Sequence, residues 1–206
     1  MSGFEQPIYP KVGPGGHRFE SFSPKLNRRV VFFDRWNVDQ WVLLEADREV
    51  TRFCERPCRL QPKISQRLVD FWVKTHTGAY GLLIQTAQEP PSDADKTKDA
   101  PIEEIRTVAI TDLTACGQRI QNWRLILPYL IANRTLITQE WTDPVMDLLH
   151  KPQTLGSVEH HFRGRDTVLI RAALFKLLHQ GHLVSEDLDK RPLDALTHFE
   201  SGHGQT

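Results

Sequence analysis

The spacing of apolar residues changes along the chain, from runs that suit strands in the first half to a three-to-four-residue repeat in the second. Residues 29–33 (RVVFF) have the β-branched and aromatic content of a strand, and Trp36, Trp41, Leu44 and Val50 then fall near helical spacing, which predicts a strand followed by a short helix. Residues 47–54 turn into a second strand that meets Pro57, and residues 59–60 read as another extended piece. Residues 68–74 (LVDFWVK) and 80–86 (YGLLIQT) flank the short turn THTGA with its Gly78, which predicts an antiparallel hairpin with Asp70 near the start of its first strand. The polar, Pro-rich stretch 89–101 (EPPSDADKTKDAP) is a solvated loop by composition.

From Glu103 onward the pattern reads as helical, most strongly over 118–130, where Ile120, Trp123, Leu127 and Leu130 lie about a turn apart and Pro128 is expected to kink or end the helix. Three helices follow, at 143–149, 155–162 and 166–180, and then an extended tail over 183–193. Helices followed by a hairpin predict a winged-helix module in the last third. Its third helix carries Val168, Arg171, Ala172, Leu174, Phe175 and Leu178 along an apolar stripe and ends at Gly181, a good C-terminal cap; plain core packing accounts for that stripe in full.

Composition narrows the class. Gly, Pro and polar residues dominate 1–23, predicting an extended arm ahead of a domain over 24–114 and a second over 115–206. The chain has 206 residues, 39% of them hydrophobic, and a formal charge of zero, so any anionic partner must be met by local patches and not by a global field. No apolar run approaches the roughly 20 residues that span a bilayer, and no secretory pattern opens the sequence, so a cytoplasmic location without membrane contact is expected, with Cys54, Cys58 and Cys116 reduced. The C-x3-C pair at Cys54 and Cys58 lacks the further ligands of a zinc site.

Taken in order, FSPKLNRRVVFF, WVLLEADREVTRFCERP, RLVDFWV and GAYGLLIQ resemble successive blocks of the TnsA-like endonuclease subunit of heteromeric bacterial transposases. NWRLILPYL, TLGSVEHHF and IRAALFKLLHQGHLVSEDLDKRPL resemble that family's C-terminal half, down to the Asp187-Leu188 element. The resemblance implies an α/β fold: a restriction-endonuclease-like mixed sheet with flanking helices, followed by a C-terminal winged-helix domain. It also implies binding to transposon-end DNA, a DDE-type transposase partner resembling TnsB and an AAA+ ATPase partner resembling TnsC.

Nucleases of this class cut with metal-bound water, acids holding Mg2+ and a lysine beside the nucleophile. The resemblance puts the metal-binding aspartate at Asp70 and the Glu-Gln-Pro element at Glu55, Arg56 and Pro57. The next motif, Glu or Gln, any residue, then Lys, falls on Gln85, Thr86 and Ala87, so the lysine is missing; the alternative register places Leu83 at the acid and Gln85 at the lysine. The helical acid expected before Leu43-Leu44-Glu45 falls on Asn37, a poorer ligand for a hard cation, with Asp34 or Asp39 available after a slip in register. Lys74 is the candidate to restore the missing ammonium in space.

These departures predict a degenerate cutting site on a DNA-binding and partner-binding subunit. An active Mg2+-dependent endonuclease cutting the 5′ side of transposon ends, and a winged-helix transcription regulator, are the alternatives. Arg28 and Arg29 in the first half, and Arg163, Arg165, Arg171 and Lys176 before or on the third helix, are the DNA-binding candidates; a solvated helix face or basic loop explains the same residues.

Overall fold

Residues 3–9, 17–60, 67–85 and 101–202 are described by a computed structural model, in which the chain forms two units, Met1–Leu44 with Glu49–Ala115, and Glu45–Arg48 with Cys116–Thr206. In the first unit, β1 (Phe19–Ser23) and β2 (Arg28–Phe32) form an antiparallel hairpin with Phe19 opposite Phe32. The turn suits its sequence: Ser23 Oγ accepts from the Leu26 N–H at 3.1 Å, and Asn27 takes a φ of 49°, which asparagine tolerates better than most residues. Residues 19–23, expected in the arm, are therefore strand. The described residues 3–9 dock on the same unit as well, Ile8 exchanging 2.9 Å hydrogen bonds with the Arg56 main chain and side chain. Composition hid this docking because a segment too polar to fold alone can still be held by backbone hydrogen bonds to a formed sheet.

Helix α1 (Arg35–Ala46) starts where the Asp34 carboxylate accepts from the Trp36 N–H at 2.7 Å, and it buries Trp41, Val42 and Leu44. The main sheet comprises β3 (Val50–Glu55), β4 (Phe71–Thr75), β5 (Ala79–Gln85) and β6 (Ile105–Ala109), in that order. The first three strands are antiparallel, and β6 runs parallel to β5. The sheet is thus mixed, with helices beside it in the sequence. Phe71, Trp72 and Val73 on β4 and Leu82, Leu83 and Ile84 on β5 are consecutive buried residues, as expected where both faces of a central strand are covered. One face packs Cys54, Val69, Trp72 and Leu83 with Leu60 and Ile102; Phe71 meets Phe32 and Phe53, ring centroids 6.1 and 6.3 Å apart.

The hairpin predicted around Gly78 forms, and the extended piece at 59–60 appears as a bridge between Arg59 and Leu68. The helix expected from Glu103 does not begin there: β6 comes first, and α2 (Ile110–Ala115) follows. Ile105, Thr107 and Val108 suit a strand locally, and the open edge of β5 supplies the ladder partner that a one-dimensional pattern cannot display. Except for Pro101, the loop expected over 89–101 lies outside the described residues.

The second unit holds α3 (Gly117–Ala132), α4 (Gln139–Leu148), β7 (Gln153–Thr154), α5 (Leu155–His161), α6 (Thr167–His179), β8 (Leu183–Val184), α7 (Asp187–Lys190) and β9 (His198–Ser201). Its small sheet has the order β7-β9-β8. Helix α6 is the hub, burying Ile170, Ala172, Ala173, Leu174, Phe175, Leu177 and Leu178 against α3, α4 and α5. Both its ends are closed. Asp166 caps the Val168 and Leu169 N–H groups at 2.8 and 3.3 Å; Gly181, at φ 79°, donates to Leu178 O while His182 donates to Leu177 O, a Schellman ending. Helix α3 runs on through Pro128, which lies on its exposed side, where the hydrogen bond that proline removes is least costly.

The tail expected to be extended over 183–193 contains the helical turn α7. Buried Asn122 of α3 holds it in place: its amide donates to Leu188 O and Arg191 O, both at 2.8 Å, and its oxygen accepts from the Leu193 N–H at 2.8 Å. Among the described residues no helix is long and apolar enough to cross a membrane.

Candidate functional site

Asp70 stands immediately before β4, between the buried Val69 and Phe71. Its main chain joins both neighbouring strands, the N–H donating to Leu82 O at 3.1 Å and the carbonyl accepting from the Arg56 N–H at 2.9 Å. One carboxylate oxygen, Oδ2, accepts from the Ile84 N–H at 2.8 Å. The side chain thereby takes the place of a ladder acceptor at the frayed start of β4. This is the strand-edge role that an aspartate fills without any ligand.

Gln85 follows Ile84 directly, half-buried at the end of β5 and opposite Ala109 of β6, so Asp70 and Gln85 do come to the same corner of the sheet. Lys74 does not. It is exposed, opposite Arg52 and Ala79, and four strand residues from Asp70 correspond to roughly 13 Å, beyond the reach of its side chain. Asn37 is half-buried on α1, and Asp39, two residues on, points about 200° around that helix from it; Asp39 is itself buried, with Arg35 at 3.9 Å. Asp34 is committed to the N-cap of α1. Glu45 is fully buried and bonds His179 Nε2 at 2.9 Å within the second unit.

The donor set does not fit a magnesium ion. Mg2+ needs near-octahedral oxygen ligation with compensating carboxylate charge. At Asp70 one carboxylate oxygen is already used, the neighbouring ligand candidate is a neutral amide, and among the described residues no group of three His, Cys, Asp or Glu side chains is disposed to hold a metal. Cys54 and Cys58, whose thiols burial pushes up to about 12 and about 11, belong to no such group among the described residues either.

Two arginines beside this corner escaped sequence reasoning in the roles they play. Arg28 spans the Glu55 carboxylate with two hydrogen bonds, 2.9 and 2.6 Å, and Glu55 is completely buried. The resulting pair holds β2 to the end of β3. Arg56, at φ 48°, is about nine-tenths buried, with its guanidinium 5.0 Å from the Phe33 ring centroid and 5.7 Å from that of Tyr9; its Nη2 finds no hydrogen-bond partner among the described residues. Burial holds its proton affinity below the ordinary arginine value against the pull of Glu55. The only sequence sign of either role was the Glu55-Arg56-Pro57 element itself, whose acid looked like motif and is an ion-pair partner.

The six DNA-binding candidates divide evenly. Arg28 is spent on Glu55. Arg171 on α6 bonds Glu159 and, at 3.1 Å, the Tyr129 hydroxyl, and Lys176 donates to Ile137 O at 2.7 Å, so neither contributes to the free basic helix face that the sequence suggested. Arg29, Arg163 and Arg165 are exposed. In a globular unit this small, long cationic side chains on the central helix are drawn into hydrogen bonds with neighbouring helices and loops, which helical periodicity cannot foresee.

No model of a known protein family matches the chain, and a comparison with characterised proteins yields no match either.

Proposed function

We propose that the protein is a TnsA-like subunit of a transposition complex that binds transposon-end DNA and its partner proteins without cutting DNA. The partners on this reading are a DDE-type transposase resembling TnsB, which performs the strand chemistry, and an AAA+ ATPase resembling TnsC. One observation carries the loss of cleavage: Asp70 sits at the head of β4 beside Gln85, in a helix-led mixed sheet compatible with a nuclease core, yet its carboxylate closes a hydrogen bond to Ile84, and among the described residues it belongs to no group of side chains disposed to hold a metal. Supporting the winged-helix reading of the second unit are the sequence α4, β7, α5, α6, β8, α7, β9 and a small sheet in which β9 lies between β7 and β8.

The test is strand cleavage by the purified protein with its transposase on end-containing DNA, in Mg2+ or Mn2+. The wild type and Asp70→Ala are expected to behave alike. Loss of a cleavage product on that substitution would instead establish a working endonuclease.

A further inference from the structure

Residues 160–165 read His-His-Phe-Arg-Gly-Arg, without an acid, and they run from the end of α5 into its connection to α6. Their geometry is held tightly. Arg163 N–H donates to His160 O at 3.2 Å, Arg165 N–H donates to Phe162 O at 2.9 Å, and Gly164 takes φ 102°, a conformation that side-chain-bearing residues rarely adopt. This reversal puts Arg163 and Arg165 side by side in a β-bridge. The Arg165 guanidinium lies 5.8 Å from the ring centroids of both Trp141 and Phe162, and His161 packs edge-on against Phe162 at 4.8 Å.

The charge on this turn is not balanced. Elsewhere in the unit Arg171 meets Glu159, Arg119 meets Asp189, Lys190 meets Glu186 and Arg191 meets Asp187. Among the described residues, Arg163 and Arg165 have no carboxylate partner. The adjacent acid, Asp166, commits Oδ1 to the N-cap of α6. An exposed guanidinium near two aromatic rings, with a second exposed arginine two residues away, is suited to phosphate oxygens, which accept from the planar fork of donors of each.

We infer that the α5–α6 turn is a seat for the phosphate backbone of duplex DNA, gripped by Arg163 and Arg165, with α6 remaining in the protein core and not entering a groove. The burial of α6 and the internal bonds of Arg171 and Lys176 leave Thr167 and Val168, at its start, as the exposed residues of that helix. Binding through this turn is therefore sequence-independent and salt-sensitive. The inference deepens the DNA-binding part of the proposed function, and it does not require a transposase.

Fluorescence anisotropy of the full chain with a labelled random-sequence duplex, titrated across salt concentrations, reads this out. The double variant Arg163→Gln/Arg165→Gln is expected to bind about tenfold more weakly and to lower the slope of log K against log salt by about 2, close to one unit for each phosphate that is no longer neutralised. Lys190→Gln, which also removes one surface charge, should leave the slope unchanged, and circular dichroism checks that all variants are folded. An unaltered slope in the double variant overturns the inference. So does a strong preference for one duplex sequence, which would put α6 in the groove, or equal competition by polyglutamate, which would mark a surface for acidic proteins. Duplex binding that depends on these arginines, with no association with a transposase, would sink the transposition reading and leave this one standing.

Discussion

Buried polar side chains in this protein act mainly as backbone acceptors and donors, and Asn122 is the clearest case. It satisfies three main-chain groups of the segment 188–193 from one position on α3. Asn122→Ala strands all three, and at about 1 kcal/mol or more for each buried group left unpaired, a loss of about 3 kcal/mol is expected in urea unfolding. A loss below about 1 kcal/mol would mean that water replaces the amide. Asp187 acts similarly at the rim: its Oδ2 accepts from Arg191 at 2.6 Å and from the His198 N–H at 2.8 Å, and these donors, Arg191 first, hold the carboxyl well below the usual carboxylate range. A depressed folded value means that the stabilisation is complete above the unfolded pKa and is lost as pH falls through the folded one. The penalty of Asp187→Asn should accordingly not shrink between pH 7 and pH 5 and should begin to do so only below about pH 4. If urea midpoints for the two proteins converge between pH 7 and pH 5, this ion pair is not what anchors β9.

At the scale of elements, those whose signals are local were legible and those completed by a distant neighbour were not. Helix α6 shows its stripe and its Gly181 stop in the sequence, and both are found in place except at Val168, which is exposed at the start of the helix. Gly181→Ala should cost about 1 kcal/mol, since alanine is strained in the left-handed conformation that closes the Schellman turn, and the loss is readable as a fall in thermal midpoint. The β4–β5 hairpin was equally readable from two apolar runs about a Gly turn. Strand β6 was not: it is five residues long and partly exposed, and its pairing is to β5 across the intervening residues 86–104. Strand β1 was hidden by its polar sequence, FESFS, which becomes strand because β2 offers it a ladder. At the candidate site, Asp70 was identifiable as an acid at the start of a strand. The commitment of its carboxylate to Ile84, 14 positions away, was not.

Taken whole, the molecule carries 26 basic and 26 acidic side chains, and its charge falls to zero close to pH 7.1. Solubility should accordingly be lowest near neutral pH and rise when buffers move about two pH units either way, a trend that light scattering would follow; a flat profile would show that local patches and not net charge govern self-association. Two units, each with its own core, divide the chain near Ala115. The sequence by itself determined the helical repeat of the second unit, the Gly181 cap of α6, the antiparallel hairpin and the absence of a lysine after Gln85, because each depends on residues within a few positions of one another. Only the tertiary structure decided how the charges are used: Glu55 with Arg28, Arg171 with Glu159, Asp70 with the β5 backbone, and Arg163 and Arg165 left without carboxylate partners among the described residues. The strength of a charge depends on what lies within a few ångströms of it, and that proximity is set by folding rather than by distance along the chain.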